Sequence, residues 1–134
     1  MIVSLHVATG AAAGMVAGTR PRALILGPLL HLAGDRMPHR DIPSRRFEIV
    51  SGLAGLSAVA AVRGPLDPAV VGAVASSAPD IEHVVRLPRP GGRKLFPSHR
   101  VHGWHRSGGV SAPVQLLVAG ILLGAVLAAR RARP

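Results

Sequence analysis

Five apolar runs, separated by short segments rich in charge and proline, organise this chain. The pattern predicts helices over residues 2–19, 22–37, 47–63, 67–84 and 107–130, with a polar loop over 86–106. Only the first and last runs approach the roughly 20 apolar residues that a perpendicular membrane span needs. No run alternates as a half-buried strand would. We therefore predict a single all-α domain, an up-and-down membrane bundle of about five helices.

The composition strengthens this interpretation. Hydrophobic residues make up 49% of the 134 residues, and the aromatic ones are one tryptophan and two phenylalanines. Such hydrophobicity excludes a disordered chain. The complete absence of cysteine excludes a disulfide scaffold, a cysteine-type zinc finger and a thiol nucleophile. We expect an integral protein of the inner (cytoplasmic) membrane.

The net charge of +10 suggests an anionic partner, either nucleic acid or a phosphate-bearing molecule. Nucleic-acid binders usually place basic residues along one helix face or among stacking aromatics. Here the arginines lie in the connections between uncharged runs, as in membrane proteins. We therefore expect membrane lipid and a phosphate-bearing substrate as partners, and no nucleic acid. The positive-inside rule places the polar end of the bundle on the cytoplasmic side.

Glycines recur at four-residue spacing in the first and last runs, at Gly10, Gly14 and Gly18 and again at Gly120 and Gly124. Small residues at this spacing let two helix backbones approach closely. The pattern predicts homo-oligomer formation through these glycine-rich faces. The alternative is that glycine and alanine are simply abundant in this chain.

An up-and-down path gathers the ionisable residues at one end of the bundle. All seven histidines and five of the six acidic residues fall there. All of them except His6 and Glu48 occur in three segments, 31–41, 78–83 and 98–106. Within the first segment, His31 and Asp35 share a helix face because they are four residues apart. Imidazole with carboxylate and no thiolate suits Zn²⁺, with Mn²⁺ or iron as alternatives.

Arginines alternate with these candidate ligands. Because guanidinium binds phosphate bidentately, we predict a phosphate-binding role for Arg36, Arg40, Arg100 and Arg106. Other roles for the acidic residues stay open at this point. Asp35 could form an ordinary ion pair with a neighbouring arginine. Asp80 could cap a helix after Pro79.

The motifs resemble a known family. An early histidine, the pattern His-x3-Asp-x3-His-x-Asp, the segment Pro-Asp-x-Glu-His and a His-Arg-x-His segment are similar to the small bacterial membrane-bound metal-dependent hydrolases described as YdjM-like. These are related in motif style to zinc-dependent phospholipase C. The resemblance implies metal ligands at His6, His31, Asp35, His39, Asp80, His83 and His102.

The chain departs from this family pattern in two places. An extra histidine in the last segment leaves the choice among His99, His102 and His105 open, and Glu82 stands where an aspartate is common. Asp35 and Asp80 are the predicted catalytic residues. The predicted function is metal-dependent hydrolysis of a phosphoester such as a phospholipid. The alternative is a non-catalytic integral membrane protein that binds metal or packs through its helices.

Overall fold

The computed structural model describes residues 1–104 and 106–129, and within these ranges it is helical with no β-strand. The α-helices are α1 (Val3–Ala17), α2 (Arg20–Arg36), α3 (Arg45–Arg63), α4 (Pro68–Ser77), α5 (Ile81–Val84), α6 (Pro97–Arg100) and α7 (Ala112–Ala128). Single 3₁₀ turns occupy Ala78–Asp80 and Pro90–Gly92. The all-α prediction is confirmed.

Local sequence explains where the long helices begin and end. Ser44 caps α3 by accepting a hydrogen bond from the Phe47 backbone amide at 3.2 Å. Asp67 caps α4 in the same way, accepting from the Ala69 amide at 2.8 Å. Helix α1 ends at Gly18, whose φ of +70° is the left-handed conformation that favours glycine at a helix C-terminus.

Helix α1 lies at the centre of the bundle and packs against α2, α3, α4 and α7. Its glycines make the α4 contact: a Cβ on Gly10 would lie 2.3 Å from the Gly72 carbonyl oxygen, and one on Gly14 would lie 2.1 Å from the Pro68 oxygen. The order of these contacts is reversed along the two helices, so α1 and α4 run antiparallel. The first glycine pair of the predicted ladder thus serves a contact within the chain.

Helix α3 runs parallel to α1, since Gly52 lies against Val3 and Gly55 against Val7. These directions are those of an up-and-down path. The core between the helices is made of small aliphatic side chains; its largest buried cluster is Val7, Ala11, Val59, Ala69, Val70, Ala73 and Val126. Interdigitated small residues therefore replace the aromatic packing that this chain lacks.

The membrane prediction is wrong. Among the residues that the structure describes, no helix combines the length and the apolar character that crossing a membrane requires. The two candidate spans, 2–19 and 107–130, become helices of 15 and 17 residues. At about 1.5 Å per residue these helices fall short of a hydrocarbon core about 30 Å thick. This finding contradicts the predicted transmembrane helices, the predicted inner-membrane location and the predicted cytoplasmic placement of the site.

Two predicted boundaries shift for local reasons. The helix predicted over 67–84 breaks at the 3₁₀ turn Ala78–Asp80, because Pro79 cannot continue the α-helical hydrogen bonding. The helix predicted over 107–130 begins only at Ala112, after Gly108 and Gly109, which both have positive φ. Residue 130, the predicted end of that helix, lies outside the described residues.

Candidate metal centre

Four ionisable side chains meet at the end of the bundle where α2 ends, α4 breaks and α6 begins. They are His31 and Asp35 of α2, Asp80 of the 3₁₀ turn and His99 of α6. The two Nε2 atoms of His31 and His99 lie 3.3 Å apart. Asp35 Oδ2 lies 3.1 Å from the first and 3.3 Å from the second. Asp80 Oδ1 lies 3.8 Å from His31 Nε2 and 3.7 Å from His99 Nε2.

His31, Asp80 and His99 lie close enough together to hold one metal ion, and Asp35 Oδ2 is within 3.3 Å of both imidazole nitrogens. In a tetrahedral zinc site with metal–ligand bonds of about 2.0–2.1 Å, neighbouring ligand atoms lie about 3.3 Å apart. The two imidazoles and Asp35 match that spacing, and Asp80 is only slightly farther away. Two nitrogens and two oxygens without sulfur form a donor set that suits zinc, manganese or iron. We call these four side chains the metal quartet.

Hydrogen bonds at the opposite ring nitrogen orient both imidazoles. The Nδ1–H of His31 donates to the Ser76 carbonyl oxygen at 2.8 Å. The Nδ1–H of His99 donates to Glu82 Oε1 at 2.5 Å. In a neutral ring each Nε2 atom is thereby left with a lone pair, and the two Nε2 atoms face each other and Asp35 Oδ2. Such an arrangement needs a proton or a metal ion between them, and Nδ1–H bonds to a carbonyl and a carboxylate are typical of metal-binding histidines.

Glu82 is itself held in place by the chain that follows it. Its carboxylate accepts hydrogen bonds from the backbone amides of Leu95 at 2.6 Å and Phe96 at 3.3 Å. Burial by itself would raise the pKa of Glu82, but these amides and His99 outweigh it and lower the pKa. An ionised Glu82 therefore fixes the His99 ring and makes it a more basic ligand.

Asp35 is the most heavily contacted member of the quartet. Ser98 donates its hydroxyl to Asp35 Oδ2 at 2.6 Å, while His6 Nε2 and the Met1 amino nitrogen lie 3.2 and 3.0 Å from Oδ1. Burial alone would raise the pKa of Asp35, but hydrogen bonds from His31, His6 and His99 hold it far below the ordinary range. Asp35 is therefore a permanent negative charge inside the protein.

The environment of Asp80 disfavours its negative charge, in contrast to that of Asp35. Its Oδ2 atom is buried and has no hydrogen-bond partner in the described structure. Burial, supported by the nearby Asp35 charge, raises the pKa of Asp80 to about 6. A buried, unpartnered carboxylate oxygen is costly in a metal-free protein, and a cation would relieve that cost.

His6 extends the cluster beyond the quartet. Its ring stacks on the His31 ring with centroids 3.9 Å apart. Burial lowers the pKa of His6 to about 3, so this ring is neutral at physiological pH and can offer a lone pair. His6, His31 and Asp35 form a second buried group whose ligand atoms lie close enough together to hold a metal ion.

The remaining predicted ligands lie around the quartet and outside it. His39 is buried, with Nδ1 2.7 Å from the Met37 carbonyl and Nε2 3.1 Å from Asp41 Oδ1. The exposed His83 packs its ring against His99 with centroids 4.2 Å apart. Burial of part of the ring, together with His99 and Lys94, lowers the pKa of His83 to about 4.

The structure separates the three histidines among which the sequence left a choice. His99 belongs to the quartet, while His102 is exposed and lines a smaller neighbouring cavity. His105 lies outside the described residues. His99 lies in the short helix α6, which begins at Pro97. Glu82 and Ser98 also hold the site, and sequence reasoning did not assign them these roles.

The four arginines predicted to bind phosphate are all exposed. Arg36 stacks over the Trp104 ring, 4.1 Å from its centroid. Of the four, only Arg100 lines one of the two cavities beside the quartet, the smaller one. Arg45, which was not among them, lines the larger cavity.

The larger cavity has a volume of about 550 Å³ and opens directly onto the quartet. Asp35, Asp80 and His99 form part of its wall. Pockets of this size typically bind small organic molecules. The candidate metal centre is therefore reachable by a substrate, and it is not sealed within the core.

No known protein family, curated protein or solved structure matches this chain. The likeness to the YdjM-like hydrolases therefore stays a prediction from the motifs.

Proposed function

We propose that the quartet binds one divalent cation, with zinc as the leading candidate, and that the protein is a metal-dependent hydrolase of phosphoesters. One observation carries the proposal: two imidazole nitrogens 3.3 Å apart, and two carboxylate oxygens that each lie 3.1–3.8 Å from both of them, converge from three separate segments. Manganese and iron are the alternative metals for the same donor set.

His31, His99, Asp35 and Asp80 would hold the ion, and the cavity beside them would admit the ester. A divalent cation there would polarise a phosphoryl oxygen and make water a stronger nucleophile near neutral pH. Glu82 keeps the His99 ring oriented through its Nδ1–H bond. The unpartnered Asp80 Oδ2 would accept a hydrogen bond from the attacking water. Arg45 offers a positive charge on the cavity wall for the phosphate oxygens.

The test is hydrolysis of bis(p-nitrophenyl) phosphate by the full chain, after chelation and after return of Zn²⁺, Mn²⁺ or Fe²⁺. We expect activity that the chelator abolishes and one of these metals restores. His99→Ala should lose activity and metal together. His102→Ala should retain both, although the family resemblance implies a ligand at that position.

The two variants also separate the proposal from its rivals. Loss in His102→Ala with retention in His99→Ala would refute the quartet. Stoichiometric metal without hydrolysis of any phosphoester tested would support the non-catalytic metal-binding alternative instead.

A further inference from the structure

The cavity beside the quartet has two chemically different parts. One end carries the metal quartet, and the remaining wall is largely aliphatic. The aliphatic wall is formed by Val7 of α1, Ile49, Leu53 and Leu56 of α3, Val74 of α4 and Val84 of α5. A substrate consisting only of a small polar phosphate would leave this wall without a counterpart.

We propose that the cavity binds the apolar chain of an amphiphilic phosphoester, whose phosphate end lies at the quartet. This inference names a substrate class for the proposed function and rests on that function for the placement of the phosphate. Polar recognition at one end of a mostly apolar pocket is the usual design of small-molecule sites. A bare phosphate would use only the polar end.

The size and continuity of the cavity favour a small molecule as its occupant. Its volume of about 550 Å³ is within the range of ligand pockets. The same cavity reaches Asp35, whose side chain is only 2% exposed, so the cavity extends inward to the bundle end. A protein partner lying across the surface would not reach that depth.

The experiment measures calorimetric binding of alkylphosphonic acids, from methyl to octyl, to the zinc-loaded protein, with inorganic phosphate as the reference. Each methylene group that enters an apolar wall should strengthen binding about fourfold. We expect this gain over several consecutive members of the series. Affinity independent of chain length would overturn the inference.

A matched pair of variants tests where the alkyl chain of the ligand binds. Val74 lines the cavity and is 46% exposed, and Val114 of α7 lies elsewhere and is 48% exposed. Val74→Trp should fill the cavity and remove the chain-length dependence, while Val114→Trp should leave it unchanged. Thermal unfolding of both variants checks that each is folded. The same chain-length dependence in both variants would place the alkyl chain of the ligand elsewhere and overturn the inference.

The same titrations distinguish this inference from the proposed function. If methylphosphonate binding is unaffected by zinc removal but longer chains still bind more tightly, the hydrolase proposal fails and chain binding in the cavity stands. If zinc governs the binding of every member equally and chain length has no effect, the metal centre stands and the inference fails.

Discussion

Removing the charge of Asp80 should stabilise the metal-free protein, although Asp80 belongs to the site. Burial raises its pKa from 3.8 to about 6. At about 1.36 kcal/mol per pKa unit, the ionised carboxylate costs the folded state about 3 kcal/mol. We therefore expect Asp80→Asn to raise the free energy of unfolding of the chelated protein at pH 7.5 by up to about 3 kcal/mol.

The pH dependence of this gain follows from the direction of the shift. A carboxyl whose folded pKa is raised destabilises the fold above that pKa, and the cost disappears as the pH falls toward the unfolded value. The advantage of Asp80→Asn over wild type should thus shrink to about 1 kcal/mol at pH 4.5.

Asp35→Asn should have the opposite effect in the same metal-free protein. The three histidines that contact Asp35 hold its pKa far below the ordinary range, so its charge stabilises the fold. Removing one partner from a buried ionic cluster costs about 3–5 kcal/mol. A depressed pKa gives stability that is present above the unfolded value and is lost only as the pH falls through the folded one. The loss should therefore persist at pH 4.5.

The assay is urea unfolding of wild type and both variants in chelator at pH 7.5 and 4.5, repeated with zinc at pH 7.5. Zinc should stabilise wild type more than either variant, because each variant lacks a ligand. The reasoning is refuted if Asp80→Asn destabilises the chelated protein at pH 7.5, or if both variants shift its stability in the same direction.

Three further predictions concern the surroundings of the quartet and the packing of α1. Burial would lower the pKa of His99, but its hydrogen bonds to carboxylates raise it. Zinc uptake near pH 7 should therefore release a proton, which calorimetry in buffers of different ionisation enthalpy measures. A binding enthalpy that is the same in all buffers would contradict this. Glu82→Gln should weaken zinc binding about 10- to 100-fold in chelator competition, because the His99 ring loses its charged partner; unchanged affinity would deny Glu82 that role. Gly10→Ala should destabilise the fold by about 1–3 kcal/mol in urea unfolding, since its Cβ would clash with α4. Gly120→Ala, where a Cβ meets nothing within 4 Å, is the matched control and should be neutral or stabilising; equal losses at both positions would contradict the packing.

Helical periodicity and proline positions predict most of this fold, because small apolar residues leave few alternatives to a bundle. The same reasoning fails at the helix ends. Gly108 and Gly109, near the start of the last apolar run, adopt positive φ. The helix in this run is therefore shorter than the run itself. Counting apolar residues cannot detect that difference, and this difference made the last run look long enough to span a membrane.

The site was predictable to the extent that local spacing determines it. The i, i+4 pair His31 and Asp35 lies on one helix face, and the alternation of helices brings Asp80 to the same end. The choice of His99 over its neighbours depends on one short helical turn that begins at Pro97. The role of Glu82 depends on two backbone amides more than ten residues away in sequence. Neither contact has a signature in the local pattern.

The central claim is that four side chains form one metal site, and titration of the chelated protein with Zn²⁺ against a competing chelator at pH 7.5 tests it most directly. We predict saturable binding in wild type, with marked weakening in His31→Ala, His99→Ala and Asp35→Asn. Glu48→Gln, which removes a carboxylate outside the quartet, should bind as wild type does. Absence of zinc binding in wild type, or equal affinity in all of these variants, would contradict the claim.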